Sequence, residues 1–420
     1  MMTLAAAPEQ DTRRKLPPGW RWVRLGEVCD VNPRRPPNFE RPDGAPTTFV
    51  PMSAVDARSG TVARPEVRPF AEVKKGYTCF GTEDVLFAKI TPCMQNGKHA
   101  IARGLIDGVG FGTTEFHVLR PGPQVIPEWI HYYVRQPAVL TDATTYFIGS
   151  AGQQRLPDSY LGAMEIPFPP LEEQKRIAAI LNEQMAAVER ARAAAEAQLE
   201  AAKALPSTYL RAVFNSPEAQ RWPRRTLGEF ILSFRNGFGR RPVGTEGGPI
   251  VLRLADVSKG IIDLNHPRRV SMSREEIETY RLRKGDLLFL RVNGSRDLVG
   301  RCVLVNIERD DVVYNDHLIR VQVREGLDPT YVRVICDFPG IRDQVTGQAS
   351  TSAGQLTIDQ GVLASIQIPV PSLREQQSIV AHLSVQMATT EQTRKSLEEQ
   401  LVAINALPSI LLRRAFNGEL

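Results

Sequence analysis

Residues 166–189 read IPFPPLEEQKRIAAILNEQMAAVE, and residues 368–391 read IPVPSLREQQSIVAHLSVQMATTE. The two stretches are copies separated by 202 positions. The same shift carries Trp20, Leu25, Gly26 and Glu27 onto Trp222, Leu227, Gly228 and Glu229, and Asp84, Leu86 and Phe87 onto Asp286, Leu288 and Phe289. It carries Pro127 onto Pro329, and Ser150-Ala151-Gly152-Gln153 onto Ser352-Ala353-Gly354-Gln355. Solenoid repeats have periods of roughly 20–50 residues. A period this much longer marks a duplicated globular domain with its linker. A duplicated protein with a pseudo-two-fold suits a target that has one too, and duplex DNA is the commonest such target.

Each copy opens with a proline-rich boundary, Ile166–Pro170 and Ile368–Pro371. Proline lacks the backbone N–H and disfavours helix in the residue before it, so a helix must start after each. In the second copy Ser372 and Glu375 form a capping box; the first has Pro170 where the second has Ser372. Apolar residues then recur at spacings of three and four. In the first helix they include Ala178, Leu181, Met185, Val188, Ala195, Leu199 and Ala202; in the second, Val380, Leu383, Met387, Thr390, Leu397, Leu401 and Ile404. That is a heptad seam, interrupted at matching places by Arg192 and Arg394. The pattern predicts helices over about 171–205 and 373–405, each ~50 Å long, pairing antiparallel, the alternative being that each packs on its own module. Leu181, Met185, Val188, Leu199, Leu383, Met387, Leu397 and Leu401 form the seam, buried between the helices or against partner subunits. Pro206 and Pro408 should kink or end them, leaving short helical tails.

Ahead of each boundary lies a region of short apolar runs and Gly/Pro turns. Thr48–Met52, Asp84–Ile90, Phe116–Leu119, Ile250–Leu254, Asp286–Val292 and Leu318–Val323 read as strands. Pro127–Arg135 and Pro329–Ile335 read as short helices with Pro in the first turn. The fold class is therefore α+β. Two similar globular modules are separated by two long antiparallel, coiled-coil-like helices. The expected domains are a flexible leader at 1–15, a module at 16–167, a helix segment at 168–217, a second module at 218–369 and a second helix segment at 370–420.

Hydrophobic residues make up 42% and charged residues 24%, ordinary for a soluble globular chain. No apolar run approaches the ~20 residues of a membrane span, and the opening MMTLAAAPEQDTRRK does not read as a signal peptide. The five cysteines are scattered and form no CxxC, which fits a reducing cytoplasm. The net charge is +5; the two helices together carry −2, so the modules hold the positive excess that phosphate would attract.

No phosphate-binding loop, dinucleotide fingerprint, HExxH or GxSxG motif is present. Cys79, Cys93 and His99 could begin a zinc set, but a fourth ligand and a counterpart in the second copy are missing. Polar loops suited to nucleic acid stand out instead. Lys89, Thr91, Gln95, Asn96, Lys98 and His99 follow one strand; Arg291, Asn293, Ser295, Arg296 and Arg301 follow its copy. Gln153, Gln154 and Arg155 follow a Ser-Ala-Gly turn, and Gln355 follows its copy. Arg and Lys can bridge guanine O6 and N7, and Asn and Gln can bridge adenine N6 and N7. The pairs Arg34/Arg35, Arg240/Arg241 and Arg268/Arg269 suit phosphate. Scaffold letters repeat while loop letters differ, as expected when each module reads a different sequence.

The doubled helix opening, Pro169-Pro170-Leu171-Glu172-Glu173-Gln174-Lys175-Arg176-Ile177 and Pro371-Ser372-Leu373-Arg374-Glu375-Gln376-Gln377-Ser378-Ile379, resembles that of the specificity subunits of type I restriction–modification enzymes. The stretches Trp20…Leu25-Gly26-Glu27, Asp84–Cys93 and Ser150–Gln153 carry the same resemblance, which covers nearly the whole chain. It implies two target recognition domains, each reading half of a split site in double-stranded DNA. It implies a spacer of two helices that docks two modification (methyltransferase) subunits, and restriction (translocase and nuclease) subunits as further partners. The chain itself would be non-catalytic, without cofactor or metal. S-adenosylmethionine would bind in the modification subunits, ATP and Mg in the restriction subunits, and the assembly would be cytoplasmic. Two other classes are open on the residues: a nuclease-type chain whose metal site is built from scattered carboxylates, and a two-domain protein-interaction scaffold. Neither explains the doubled opening.

Overall fold

The computed structural model describes residues 16–35, 39–150, 152–239, 247–257, 260–352 and 354–420, so the expected leader at 1–15 lies outside the described residues. The chain divides into two units. One comprises the described residues up to Ala194 together with Gln400–Leu420, and the other is Ala195–Glu399.

In the first unit the four-residue run Val85–Ala88 is buried throughout, which makes it a central strand covered on both faces. It belongs to an antiparallel sheet ordered Cys29–Val31, Phe116–Pro121, Val85–Ala88, His99–Ile101. A second sheet is ordered Glu66–Pro69, Pro46–Val50, Val109–Gly112, Thr78–Gly81, with one parallel pairing. A two-stranded ribbon, Arg21–Arg24 with Glu165–Phe168, brings the entry and exit of the module together. The helix Pro127–Val134 buries Trp129, Ile130, Tyr132 and Val134.

The second unit repeats this plan. Its main sheet is ordered Ile231–Asn236, Leu318–Val323, Leu287–Leu290, Cys302–Leu304. Its second sheet is reduced to a parallel pair, Ile250–Leu252 with Val312–Tyr314. The ribbon is Arg224–Thr226 with Gln367–Pro369. One contact shows how the duplication was kept while letters changed. The Trp129 indole donates to the Pro167 carbonyl at 2.9 Å, and at the shifted positions the Tyr331 hydroxyl donates to the Pro369 carbonyl at 2.9 Å.

The helix opening is fastened by a fully buried glutamine in each copy. Gln174 accepts from the Ile126 N–H (3.1 Å) and donates to the carbonyls of Gln124 and Pro169, both at 3.0 Å. Gln376 accepts from the Asp328 N–H (2.8 Å) and donates to Gly326 (3.1 Å) and Pro371 (2.9 Å). Ser372 and Glu375 form the expected capping box, with the Ser372 N–H donating to Glu375 at 2.8 Å. Ser372→Ala should cost about 1 kcal/mol. Urea unfolding followed in the second unit checks it, and an unchanged midpoint would show the cap to be idle.

The long helices run Leu171–Phe214 and Leu373–Phe416, 44 residues each, and pass through Pro206 and Pro408. The helices therefore do not end at these prolines, and the short helical tails expected beyond them are present. Proline removes one backbone hydrogen bond, but burial beyond it keeps the next turns helical. Leu210 and Phe214 are buried in the core of the second unit, and Leu412, Ala415 and Phe416 in the core of the first. Phe416 packs on Trp129 at 4.4 Å between ring centroids and on Tyr133 at 5.1 Å. Phe214 packs on Phe338 at 5.3 Å and Tyr331 at 6.0 Å. Each module is thus closed by the tail of the helix that follows the other module.

Of the predicted seam, Leu181, Val188, Leu199, Leu383 and Leu397 are buried, and Met185, Met387 and Leu401 are half-buried. Leu181 and Met185 pack into the first unit's core, and Leu383 and Met387 into the second's, so the front of each helix docks on its own module. Arg192 and Arg394 turn back along their own helices, to Glu189 and to Glu391 and Glu398.

Candidate nucleic-acid interface

In the first unit the strand Val85–Ala88 runs into Lys89–Thr91 and a tight turn that ends at Gly97. This stretch meets the segment Ile148–Leu156. The Thr91 N–H donates to the Gln154 carbonyl (2.9 Å), the Gln154 N–H to the Thr91 hydroxyl (3.2 Å) and the Leu156 N–H to the Lys89 carbonyl (2.9 Å). Ile90 bridges to Arg155. Gly149 and Gly152, at φ +115° and +86°, shape the tip with a backbone that favours glycine. Two polar stretches far apart in sequence thereby form one edge. Gln95, Asn96 and Gln153 are exposed on it; Lys89, Thr91, Gln154 and Arg155 are half-buried. Arg155 grips Glu115 through two bonds of 2.9 and 2.8 Å, which hold the Glu115 carboxyl below its usual range.

Three residues chosen from sequence are otherwise engaged. His99 is fully buried, stacked on Phe87 at 4.0 Å, and accepts from the Ala88 N–H at 3.2 Å. Burial pushes its imidazole well below the usual range. It lies on a strand of the main sheet facing the core, so its assignment as a DNA contact is corrected. The Lys98 amine donates to the Met52 carbonyl at 3.0 Å. Arg35 donates to the carbonyls of Lys74 and Phe39 and lies over the rings of Phe39, Phe70 and Phe111 at 5.0, 5.3 and 5.7 Å. It is a clamp on the second sheet, whereas Arg34 beside it is exposed. Among the described residues no three His, Cys, Asp or Glu side chains group to hold a metal ion.

The second unit builds the same edge in the same register. Val292 pairs with Thr357 where Ile90 bridges Arg155, 202 positions earlier, and a hairpin of Ser350–Ser352 with Gln355–Thr357 replaces the looser loop. Gln355 and Arg296 are exposed. Asn293 accepts from the Ser295 N–H at 2.8 Å, which shapes the turn after the strand. Arg291 donates to the Asp316 carbonyl at 3.1 Å, and Arg301 to the Asp297 carbonyl (2.8 Å) and the Asp337 carboxylate (3.2 Å). These two arginines brace the loops. Arg269 is held by Gly248 and Asp311, while Arg268 is exposed; Arg240 and Arg241 lie outside the described residues.

Beside this edge opens a cleft of about 640 Å³ whose walls include Arg268, Asn293 and Gln355. Its walls also include Asn315, Asp316 and His317, which sequence reading did not single out. The signal was available: His317 stands 202 positions after Glu115, on a matched scaffold with different chemistry.

A duplicated scaffold carrying two matched polar edges with unlike side chains defines a two-module recognition protein. The chain belongs to the family described as the type I restriction modification DNA specificity domain, which matches residues 17–200 and 270–401. It is 36% identical over 213 residues to the type I restriction enzyme EcoEI specificity subunit of Escherichia coli, covering 50% of this chain and 35% of that protein. It is 27% identical over 314 residues to the EcoKI specificity subunit of Escherichia coli strain K12, covering 72% and 68%. The chain thus spans about a third of the EcoEI relative. In fold it is similar to the HsdS subunit from Thermoanaerobacter tengcongensis, with a TM-score of 0.66 and 23% identity over 98% of this chain and all of that one. A chain solved in work on assembly and conformational transition of the type I R-M system gives a TM-score of 0.76 at 24% identity over 97% of this chain.

Proposed function

We propose that the chain is the non-catalytic DNA-reading subunit of a type I restriction–modification assembly. One module reads each half of a bipartite target. The observation that carries this is the pair of matched edges: identical register at Ile90/Arg155 and Val292/Thr357, with different side chains presented around it. The partners in this reading are double-stranded DNA and two modification subunits that bind S-adenosylmethionine. Restriction subunits using ATP and Mg are further partners. The rear of the heptad seam, with Leu199, Leu397 and Leu401, serves the helix pair and its docking to those subunits. Among the described residues no helix is long and apolar enough to cross a membrane, and the assembly works in the cytoplasm.

The reading groups are the exposed Gln95, Asn96 and Gln153 for one half-site, and the exposed Arg296 and Gln355 with the half-buried Asn293 for the other. Arg34 and Arg268 face phosphate. Two modules on one face of B-DNA contact sites roughly one helical turn apart, which leaves an unread spacer of about 5–8 base pairs. Mapping of methylated adenines in cells with and without the gene tests this. Replacing Gln95 and Asn96 by Ala should relax one half of the target only, at ~1–3 kcal/mol per lost bidentate contact. A continuous target, or relaxation of both halves together, would overturn the reading.

A further inference from the structure

We infer that His317 is a specificity-determining residue of the second module, donating a hydrogen bond to an acceptor atom on the major-groove edge of one base. That acceptor is a purine N7, a guanine O6 or a thymine O4. The inference rests on the reading of the chain as a DNA-binding subunit and assigns one contact within it.

Four chain segments converge on the cleft of the second module, bringing Arg268, Asn293, His317 and Gln355 to its walls. His317 is exposed, with 53% of its side chain open to solvent. Its orientation is set from behind. The Asn315 amide Nδ2 lies 3.0 Å from His317 Nδ1 and donates to it. With Nδ1 accepting, the ring carries its proton on Nε2, so the free side of the ring is a donor. A donor selects for base acceptors and against the exocyclic amines of adenine N6 and cytosine N4.

The segment beneath the ring is fastened. The His317 carbonyl accepts from the Arg291 N–H at 2.7 Å, and the Arg291 guanidinium donates to the Asp316 carbonyl at 3.1 Å. A group held this way reads an atom rather than adapting to it. The repeat supplies the contrast. At the shifted positions the first module has Glu115 tied to Arg155, whereas the second has His317 and Thr357. Two unlike devices at one place on a common scaffold are what two different half-sites require.

The test uses the complex assembled with its modification subunits and duplexes carrying its mapped target. Acceptor atoms in the second half-site are removed one at a time: 7-deazapurines for N7, 2-aminopurine for guanine O6, and a 2-pyrimidinone for thymine O4. One such duplex should bind the wild-type complex about 5- to 10-fold more weakly, the size of a single hydrogen bond. In His317→Phe that penalty should vanish, while in His317→Gln, which keeps a donor, part of it should return. Penalties in the first half-site should be unchanged in both variants. If every penalty in the second half-site persists in His317→Phe, or if that half-site has no sensitive acceptor, the assignment alone is overturned. Failure of the wild-type complex to bind any bipartite site would overturn the underlying reading and the assignment with it.

Discussion

Phe416→Ala should destabilise the first unit by about 3–5 kcal/mol, the usual cost of removing a buried aromatic ring, and leave the second unit near wild type. Phe416 is 5% exposed and packs against Trp129 and Tyr133. Trp129 is fully buried and hydrogen-bonded to Pro167, so it cannot swing into the space left behind. A cavity would remain, and its walls would lose both dispersion contacts and burial. Amide exchange resolved by unit is the decisive measurement. The strand Val85–Ala88 should lose protection while Leu287–Leu290 keeps it. Phe214→Ala should give the mirror result, because Phe214 packs on Tyr331 and Phe338. Equal loss in both strands for either variant would mean that the tails do not serve the modules separately.

Gln376→Leu should cost more than about 3 kcal/mol although leucine nearly matches the volume. The side chain serves three backbone groups, on Asp328, Gly326 and Pro371. Leucine would leave all three without their partner, at ~1–3 kcal/mol for each group that stays buried. Gln377, the next residue, is exposed, and Gln377→Leu should stay within about 0.5 kcal/mol. Thermal unfolding of the pair decides the matter. Similar midpoints for the two variants would show that the buried glutamine is not what fastens the helix to its module. Gln174→Leu should act likewise on the first unit, through Ile126, Gln124 and Pro169.

The duplication was legible because its strongest letters serve the backbone. The proline boundary and the E-Q pair repeat because the same carbonyls must be met twice, and the predicted strands at Phe116–Leu119 and Leu318–Val323 lie within the observed ones. The helical tails beyond Pro206 and Pro408 were legible, but not that each helix runs unbroken into them. A local rule says that proline ends a helix, and only distant burial of Phe214 and Phe416 overrides it. His99 misled for a related reason: a polar letter in a polar stretch can still face the core when a strand forms under it. His317 was missed because a single histidine carries no pattern until the loop that holds it is seen beside Asn293 and Gln355.

The closing of each module by a distant tail also sets an order of events on the ribosome. Every piece of the second unit's core, from Tyr209 to Met387, lies in one contiguous run and can condense once that run has emerged. The first unit's core emerges earlier but contains Leu412, Ala415 and Phe416. At ~5–20 residues per second of synthesis, its main-sheet strands, complete at Pro121, wait roughly 15–60 s for their missing wall. Maturation thus runs against the direction of translation, and the nascent first module is the part of this chain that most needs a chaperone's shelter.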